Sequence, residues 1–250
     1  MNNMNTNIVI NGFFGRMGQA ILEESLNIAD VNIVAGCDIN TNSQESPQVE
    51  VTNSLNKIKS PFDVVIDFSL AAATVDVVTK CVDLNKPVVI GTTGHNSSQL
   101  SNIEKLSSSI PILLAPNMSI GVNTTLSAIR EIARALQTYN VHITETHHKN
   151  KIDSPSGTAL KIANVICDAR GKTLGNISDD KCPIKFTSIR EDVAIGTHEV
   201  IFRGERDSVT ITHIADDRSI FARGSIDTAV WLSSQNPGFY SYNDYMKSMS

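Results

Sequence analysis

The segment Ile8-Val9-Ile10-Asn11-Gly12-Phe13-Phe14-Gly15-Arg16-Met17-Gly18 limits the fold of this 250-residue chain more than any other. A short β-branched apolar run breaks at a glycine, and apolar residues then recur at helical spacing as Met17, Ile21, Leu22 and Leu26. A second apolar run occupies 31–37. Strand, tight turn, helix and strand within about 30 residues make a βαβ unit. Its strands must run parallel, and its crossover is right-handed.

The pattern then repeats. Apolar runs at 64–66, 88–90 and 112–114 alternate with helical segments at 71–84 and about 98–107. The polar stretch from 40 to 60 reads as a loop with at most a small helix. Each strand is apolar throughout rather than alternating, so both faces of the sheet must be covered, as in a parallel α/β sheet. After Met118 the grammar changes. A long helix at 122–139 precedes a strand at 141–143, and another helix runs from Ser156 to about Arg170. From 184 to 215 strand follows strand, with period-two alternation at 197–202 and 209–214 and a turn at 203–207. These antiparallel-looking strands point to a second, α+β unit, followed by a last helix at about 220–233 and a Tyr-rich tail that is expected back on the first unit.

A net charge of −5 argues against a general binder of nucleic acid or anionic membrane. No run of about 18 apolar residues exists to span a bilayer. The polar start at 1–7 lacks the organisation of a signal peptide, so a cytoplasmic protein is expected. Cys37, Cys81, Cys167 and Cys182 are widely spaced and read as reduced thiols.

A dinucleotide turn needs glycine where the strand ends and again where helix and strand pack closely, with the pyrophosphate on the helix N-terminus. Here Phe14 stands at the usual middle glycine, and Gly15 follows one place later. Asp38, 20 residues past Gly18 at the end of the second strand, is placed to accept hydrogen bonds from ribose hydroxyls. Ile39-Asn40-Thr41 brings no cation for a 2′-phosphate, so the expectation leans to NADH over NADPH, with Arg16 as the one nearby basic residue. Gly91-Thr92-Thr93-Gly94 and Ala115-Pro116-Asn117-Met118 both follow strands and are placed to line the nicotinamide.

The densest chemistry lies in Glu145-Thr146-His147-His148-Lys149-Asn150-Lys151-Ile152-Asp153-Ser154-Pro155-Ser156-Gly157-Thr158. Ser156 reads as an N-cap, and Gly157 and Thr158 open a helix whose N–H groups form an anion site that Lys151 and the histidines can share. Histidine and lysine are also proton donors suited to a carbanion-like carbon. No metal is expected, because adjacent histidines on a strand point to opposite faces and no third ligand is evident. His95, His142, His198 and His213 stand alone and read as structural.

These motifs together resemble the dihydrodipicolinate reductase family. The run 145–158 is similar to its E-x-H-H-x-x-K-x-D-x-P-S-G-T signature, and Gly12 to Gly18 to its G-x-x-G-R-M-G turn. Val65 to Ser69, Gly91 to Gly94, Ala115 to Asn123 and Phe221 to Leu232 match in the family's order. The resemblance implies a Rossmann-type dinucleotide-binding domain at 1–118 and 228–250. It also implies an α+β substrate-binding and tetramerisation domain at 119–227, with a mixed open sheet. The implied reaction is NAD(P)H-dependent reduction of the dehydrated ring from 4-hydroxy-tetrahydrodipicolinate to tetrahydrodipicolinate, with hydride to ring C4 followed by protonation. By position, His147 and Lys151 would be the proton donors, and His148, Ser156, Gly157 and Thr158 would hold the carboxylates of a small dicarboxylate. The glycine turn 12–17, Asp38, Gly91, Thr92, Thr93 and 115–118 would hold the cofactor, and the implied assembly is a homotetramer. The chain departs from the family at Lys149-Asn150, where Arg-His is common, and at Asp227, where a basic residue is frequent. On the residues alone, a dehydrogenase of another amino acid or semialdehyde and a non-catalytic dinucleotide sensor stay open.

Overall fold

A computed structural model of the chain describes residues 5–40, 49–149, 151–177, 179, 182–192 and 194–249. The described residues divide into two compact units, one within Met1–Ser119 and Ser219–Ser250 and the other within Ile120–Arg218.

The first unit is built on β1 (Thr6–Asn11), α1 (Arg16–Ser25), β2 (Val31–Cys37), β3 (Glu50–Thr52), β4 (Val64–Asp67), α2 (Ala71–Asp83), β5 (Val88–Ile90), α3 (Ser97–Leu106) and β6 (Pro111–Leu114). It is completed by α6 (Ser219–Leu232), β11 (Gly238–Tyr240) and α7 (Tyr242–Lys247). The strands form one sheet in the order β11-β6-β5-β4-β1-β2-β3, every neighbouring pair parallel. The chain winds outward from β1 through β2 and β3 in one direction, and from β4 through β6 in the other. The topological switch therefore lies between β1 and β4, where ligands of open α/β sheets bind beyond the carboxyl ends of the strands.

The apolar runs work as the sequence implied. Ile8, Val9 and Ile10 are fully buried; Ile8 and Ile10 pack with Ile21 of α1 and with Ala222 and Ile226 of α6, while Val9 packs on Val77, Val78 and Ile103 from α2 and α3. Each such side chain contributes about 2 kcal/mol of burial. The polar stretch 40–60 holds more than a loop: β3 adds a strand beside β2, and a single 3-10 turn follows at Leu55–Lys57. Three residues are too few to show a period, which is why β3 was invisible in the sequence. The part of that stretch at 41–48, like residues 1–4 of the polar start and Asn150 of the signature, lies outside the described residues. The tail does return to the first unit, as β11 beside β6.

The second unit holds α4 (Ile120–Ala135), β7 (Asn140–His148), α5 (Gly157–Ala169), β8 (Ile184–Glu191), β9 (Gly196–Arg203) and β10 (Ser208–Ala215). Its sheet has the order β10-β9-β7-β8. As the family resemblance implied, one pair is parallel: β8 runs alongside β7, with α5 as the crossover, whereas β9 pairs antiparallel with both β7 and β10. The sheet is therefore mixed. β7 is nine residues long where the sequence suggested three, because its inward-facing residues change from apolar Val141 and Ile143 to polar Glu145 and His147, which hides its length. α4 ends at Ala135, short of the expected 139, since residues 136–139 turn the chain into β7. Ile129 and Ala133 of α4 and Ile162, Val165 and Ile166 of α5 pack with Val141, Ile143, Val200 and Phe202 on one face of the sheet. The other face carries Thr187, Ile189, Thr210, Thr212 and Ile214, all exposed.

Candidate active site

In the first unit, glycine makes the β1–α1 turn possible for steric reasons. Gly12 has φ +82°, and a Cβ there would lie 2.5 Å from the Phe68 carbonyl oxygen. A Cβ on Gly18 would lie 2.4 Å from the Gly12 carbonyl oxygen, so α1 could not sit this close to the strand with any other residue. Gly15 is the N-cap of α1 and places no side-chain cap on the first-turn N–H groups. Beside this turn opens a cleft of about 540 Å³, lined by Gly12, Phe14, Gly15, Asp38 and Ser69 among others. A glycine turn at the switch point, an uncapped helix start and an acidic residue at the end of β2 fit a dinucleotide.

Asp38 accepts the Phe14 N–H and the Asn40 N–H, both at 3.0 Å, so its carboxylate braces the turn as well as lining the cleft. Arg16, the basic residue singled out from sequence, is exposed and does not line it. Lys80 of α2 does, paired with Asp76 at 2.6 Å. Cys37 also lines the cleft, and burial pushes its thiol up to about 11, which suits an unreactive wall.

A second, smaller cleft of about 220 Å³ is lined by Met17, Phe68, Gly91, Pro116, Asn117, Met118 and Phe221. The expected residues Phe13, Thr92 and Ala115 are instead buried behind these surfaces, and Thr93 is exposed. Phe13 packs against Gly36, where a Cβ would come within 2.4 Å of the ring. Thr92 supports a polar knot at Asp67, a fully buried carboxylate at the end of β4. Asp67 accepts from Asn11 at 2.7 Å, Ser69 N–H at 3.2 Å, Thr74 at 3.2 Å and Thr92 at 3.0 Å. One buried acid thus joins the loops after β1, β4 and β5; Asp67 falls within the Val65 to Ser69 match, but nothing in that motif disclosed these partners.

In the second unit, strand alternation puts Glu145 and His147 on one face of β7 and His148 on the other. His147 Nδ1 and Glu145 Oε2 are in direct hydrogen-bond contact. Glu145 Oε1 accepts from Arg190 Nη1 of β8 at 2.9 Å. Burial alone would raise the Glu145 carboxyl; hydrogen bonds from Ser188 and Arg190 and the neighbouring positive charges hold it below the usual range instead. Burial drives His147 below 6.5, reinforced by Lys151 and Arg190 and opposed by Glu145. With Nδ1 held by Glu145, the free nitrogen is Nε2, which lies beside Gly196: a Cβ there would sit 3.2 Å away.

His198, which the sequence reading set aside as structural, joins this cluster. Its ring stands edge-on to His147 at 5.1 Å, and its Nε2 lies 3.0 Å from the Ser156 hydroxyl. Ser156 caps α5 by accepting the Ala159 N–H at 3.1 Å, so its own proton is left for His198. Burial and the nearby His147 push His198 down to about 4, leaving it neutral near pH 7. Glu145, His147 and His198 also bring ligand atoms within 4.8 Å of one another, a three-membered donor set that the sequence did not reveal. Glu145 is nevertheless engaged by His147 Nδ1, His198 Nε2 by Ser156, and Arg190 supplies the positive charge on Glu145.

Lys151 Nζ is 2.8 Å from the Asp153 carboxylate. The Lys151 hydrogen bond, with that of the Gly157 N–H, holds Asp153 below its usual range. A carboxylate therefore already rests where Lys151 meets the first residue of α5. Thr158 is half-buried in the following position. The fold gathers His147, Lys151, Ser156 and Gly157 around this corner, whereas His148 projects from the opposite face of β7.

The N-terminal family model for dihydrodipicolinate reductase matches residues 6–118, and the C-terminal one matches 121–246. A 4-hydroxy-tetrahydrodipicolinate reductase of Zymomonas mobilis is 37% identical over 246 residues, covering 94% of each chain. One from Buchnera aphidicola is 35% identical over 265 residues, covering 97% of each. Among solved structures, the dipicolinate-bound dihydrodipicolinate reductase of Paenisporosarcina sp. TG-14 superposes with a TM-score of 0.79 at 25% identity, covering 95% of this chain and 98% of that one.

Proposed function

The chain belongs to the dihydrodipicolinate reductase family, and we propose from that premise that its first unit holds a reduced nicotinamide dinucleotide while its second binds a small dicarboxylate and protonates it. The reaction is reduction of the ring derived from 4-hydroxy-tetrahydrodipicolinate to tetrahydrodipicolinate, in diaminopimelate and lysine biosynthesis. When bound, the nicotinamide supplies the hydride that adds to ring C4. The turn 12–17 and Asp38 hold the dinucleotide, and Gly91, Thr92, Thr93 and 115–118 shape the nicotinamide end. Gly157, Thr158, Ser156 and Lys151 hold substrate carboxylate; His148, expected from the resemblance to join them, lies on the opposite face of β7. The enamine-like anion left by hydride addition takes its proton from His147 Nε2 or Lys151 Nζ.

One observation carries this reading: Asp153 places a carboxylate on Lys151 Nζ and the Gly157 N–H, the arrangement a substrate carboxylate requires. The test is the loss of NADH absorbance when substrate is generated in the cuvette by the preceding aldolase from pyruvate and aspartate semialdehyde. Aldolase-dependent oxidation is expected. Intact dinucleotide binding without oxidation, with substrate shown to be present, would sink the reading.

Asp38 favours NADH, because its carboxylate repels a 2′-phosphate and Lys80, the one lysine lining the cleft among the described residues, is already paired with Asp76. The NADH rate should exceed the NADPH rate in the wild type, and Asp38→Ser should narrow that ratio by about tenfold, or ~1.4 kcal/mol. A wild type faster with NADPH would reverse the assignment.

His147 donates only when it carries a proton, and that population falls as pH rises. Burial lowers its pKa, so kcat/KM should decline with rising pH along a limb whose midpoint lies below histidine's ordinary 6.5. The same limb surviving in His147→Gln would assign it to another group. We further propose a cytoplasmic homotetramer, in which the exposed Thr- and Ile-bearing face of the mixed sheet meets other copies. Light scattering that returned the mass of a single chain would exclude it.

A further inference from the structure

Arg190 is the residue on which the two proposed proton donors converge. It sits on β8 directly opposite His147 in the parallel register. Its Nη1 donates to Glu145 Oε1 at 2.9 Å and to the Ile189 carbonyl at 2.8 Å. Its Nε donates to the Lys151 carbonyl at 3.3 Å, and its Nη2 to the Asp153 carbonyl at 2.8 Å. Its side chain is 21% exposed and that of Glu145 only 1%, so the ion pair is shielded on the acid's side. A planar guanidinium can span these acceptors at once, whereas an ammonium group, a single point of charge, cannot.

We infer that Arg190 is a positioning residue that sets both proton donors: His147 through Glu145, and Lys151 through the backbone of the loop that carries it. Glu145 has one oxygen on Arg190 and the other on His147, so removing the cation frees the carboxylate to turn and the imidazole with it. The loop 151–156 has no regular secondary structure, and Ile152 within it is 97% exposed. The two carbonyl contacts from Arg190 therefore hold a segment with little packing of its own. Small displacements of such groups cost large factors in rate.

The inference rests on the reading of His147 and Lys151 as donors, and two variants separate the two. Arg190→Met removes every donation; Arg190→Lys keeps the charge for Glu145 but cannot bridge to the loop carbonyls. In Arg190→Met, kcat should fall about a hundredfold with the KM for NADH unchanged. Arg190→Lys should fall about tenfold, recovering part of the loss. Independently of activity, deuterium exchange in peptides covering 151–156 should quicken in both variants, while peptides from the first unit stay unchanged. Unchanged exchange at 151–156, or a kcat within twofold of wild type in Arg190→Met, would overturn the role of Arg190 even if the donors are right. Should Arg190→Met fail to fold, Arg190→Lys decides alone: full rescue of both kcat and exchange would overturn the bridging role. Retained turnover in His147→Gln would instead break the donor reading, and the exchange measurement would still report on the loop.

Discussion

Replacing His147 with glutamine is expected to lower kcat by about 10²–10⁴-fold while NADH binding is retained. Glutamine preserves a hydrogen-bonding group of similar reach but has no proton to release near neutral pH. The loss corresponds to ~3–5 kcal/mol of transition-state stabilisation. Lys151→Met should cost a comparable factor, because it removes both an ammonium donor and the cation facing the Asp153 carboxylate. The double variant should fall well short of the product of the two, since both groups serve one proton transfer. The measurement is kcat from the aldolase-coupled assay, with dinucleotide binding followed by NADH fluorescence. A His147→Gln enzyme with more than a tenth of wild-type kcat would remove His147 from the donor role, and multiplicative losses would show that the two residues act in separate steps.

Gly224→Ala carries the largest expected effect on stability. Gly224 lies in α6 against the loop after β6, and a Cβ there would fall 1.7 Å from the Met118 carbonyl oxygen. That oxygen belongs to main chain, so relief requires the helix or the loop to move. Overpacking of this severity should cost ~3 kcal/mol or more, lowering Tm by about 10 °C for a chain of this size. Met118 and Asn117 line the smaller cleft, so the same displacement should weaken NADH binding before the protein unfolds. Calorimetry and a fluorescence titration measure the two effects. A melting temperature within two degrees of wild type would mean that α6 and the loop separate at little cost.

The parts of the site visible in the sequence are those whose geometry is local. The β1–α1 turn declared itself because Gly18 answers a clash with the Gly12 carbonyl six residues earlier and Gly12 itself adopts a positive φ, both of them local demands. Asp38 followed because the length of a βαβ unit places the end of its second strand. The N-cap at Ser156 is likewise a matter of one helical turn. Even the split between His147 and His148 follows from strand alternation once β7 is known to be a strand.

Arg190 and His198 are different. Arg190 lies 45 residues beyond the carboxylate it binds, and His198 lies 42 beyond Ser156. Their roles depend on two registers, Arg190 opposite His147 across a parallel pair and His198 opposite Glu145 across an antiparallel one. A slip of one residue in either would send the side chain to the other face of the sheet. Nothing near Arg190 in the chain distinguishes it from a solvated arginine on an edge strand. The Asp67 knot is hidden for the same reason, since its partners come from the ends of β1, β4 and β5 and from α2.

By itself, then, the sequence determined the parallel α/β half, the glycine turn and the family, and it singled out His147 and Lys151 as the proposed donors, because periodicity, steric need and short motifs act over a few residues. Only the tertiary structure decided that β8 runs parallel to β7, that Glu145 and Arg190 contact the proposed donors and their loop, and that the His198 ring packs edge-on to His147. Those facts arise where distant strands meet, and strand register is set by the burial of a whole sheet face rather than by any one segment.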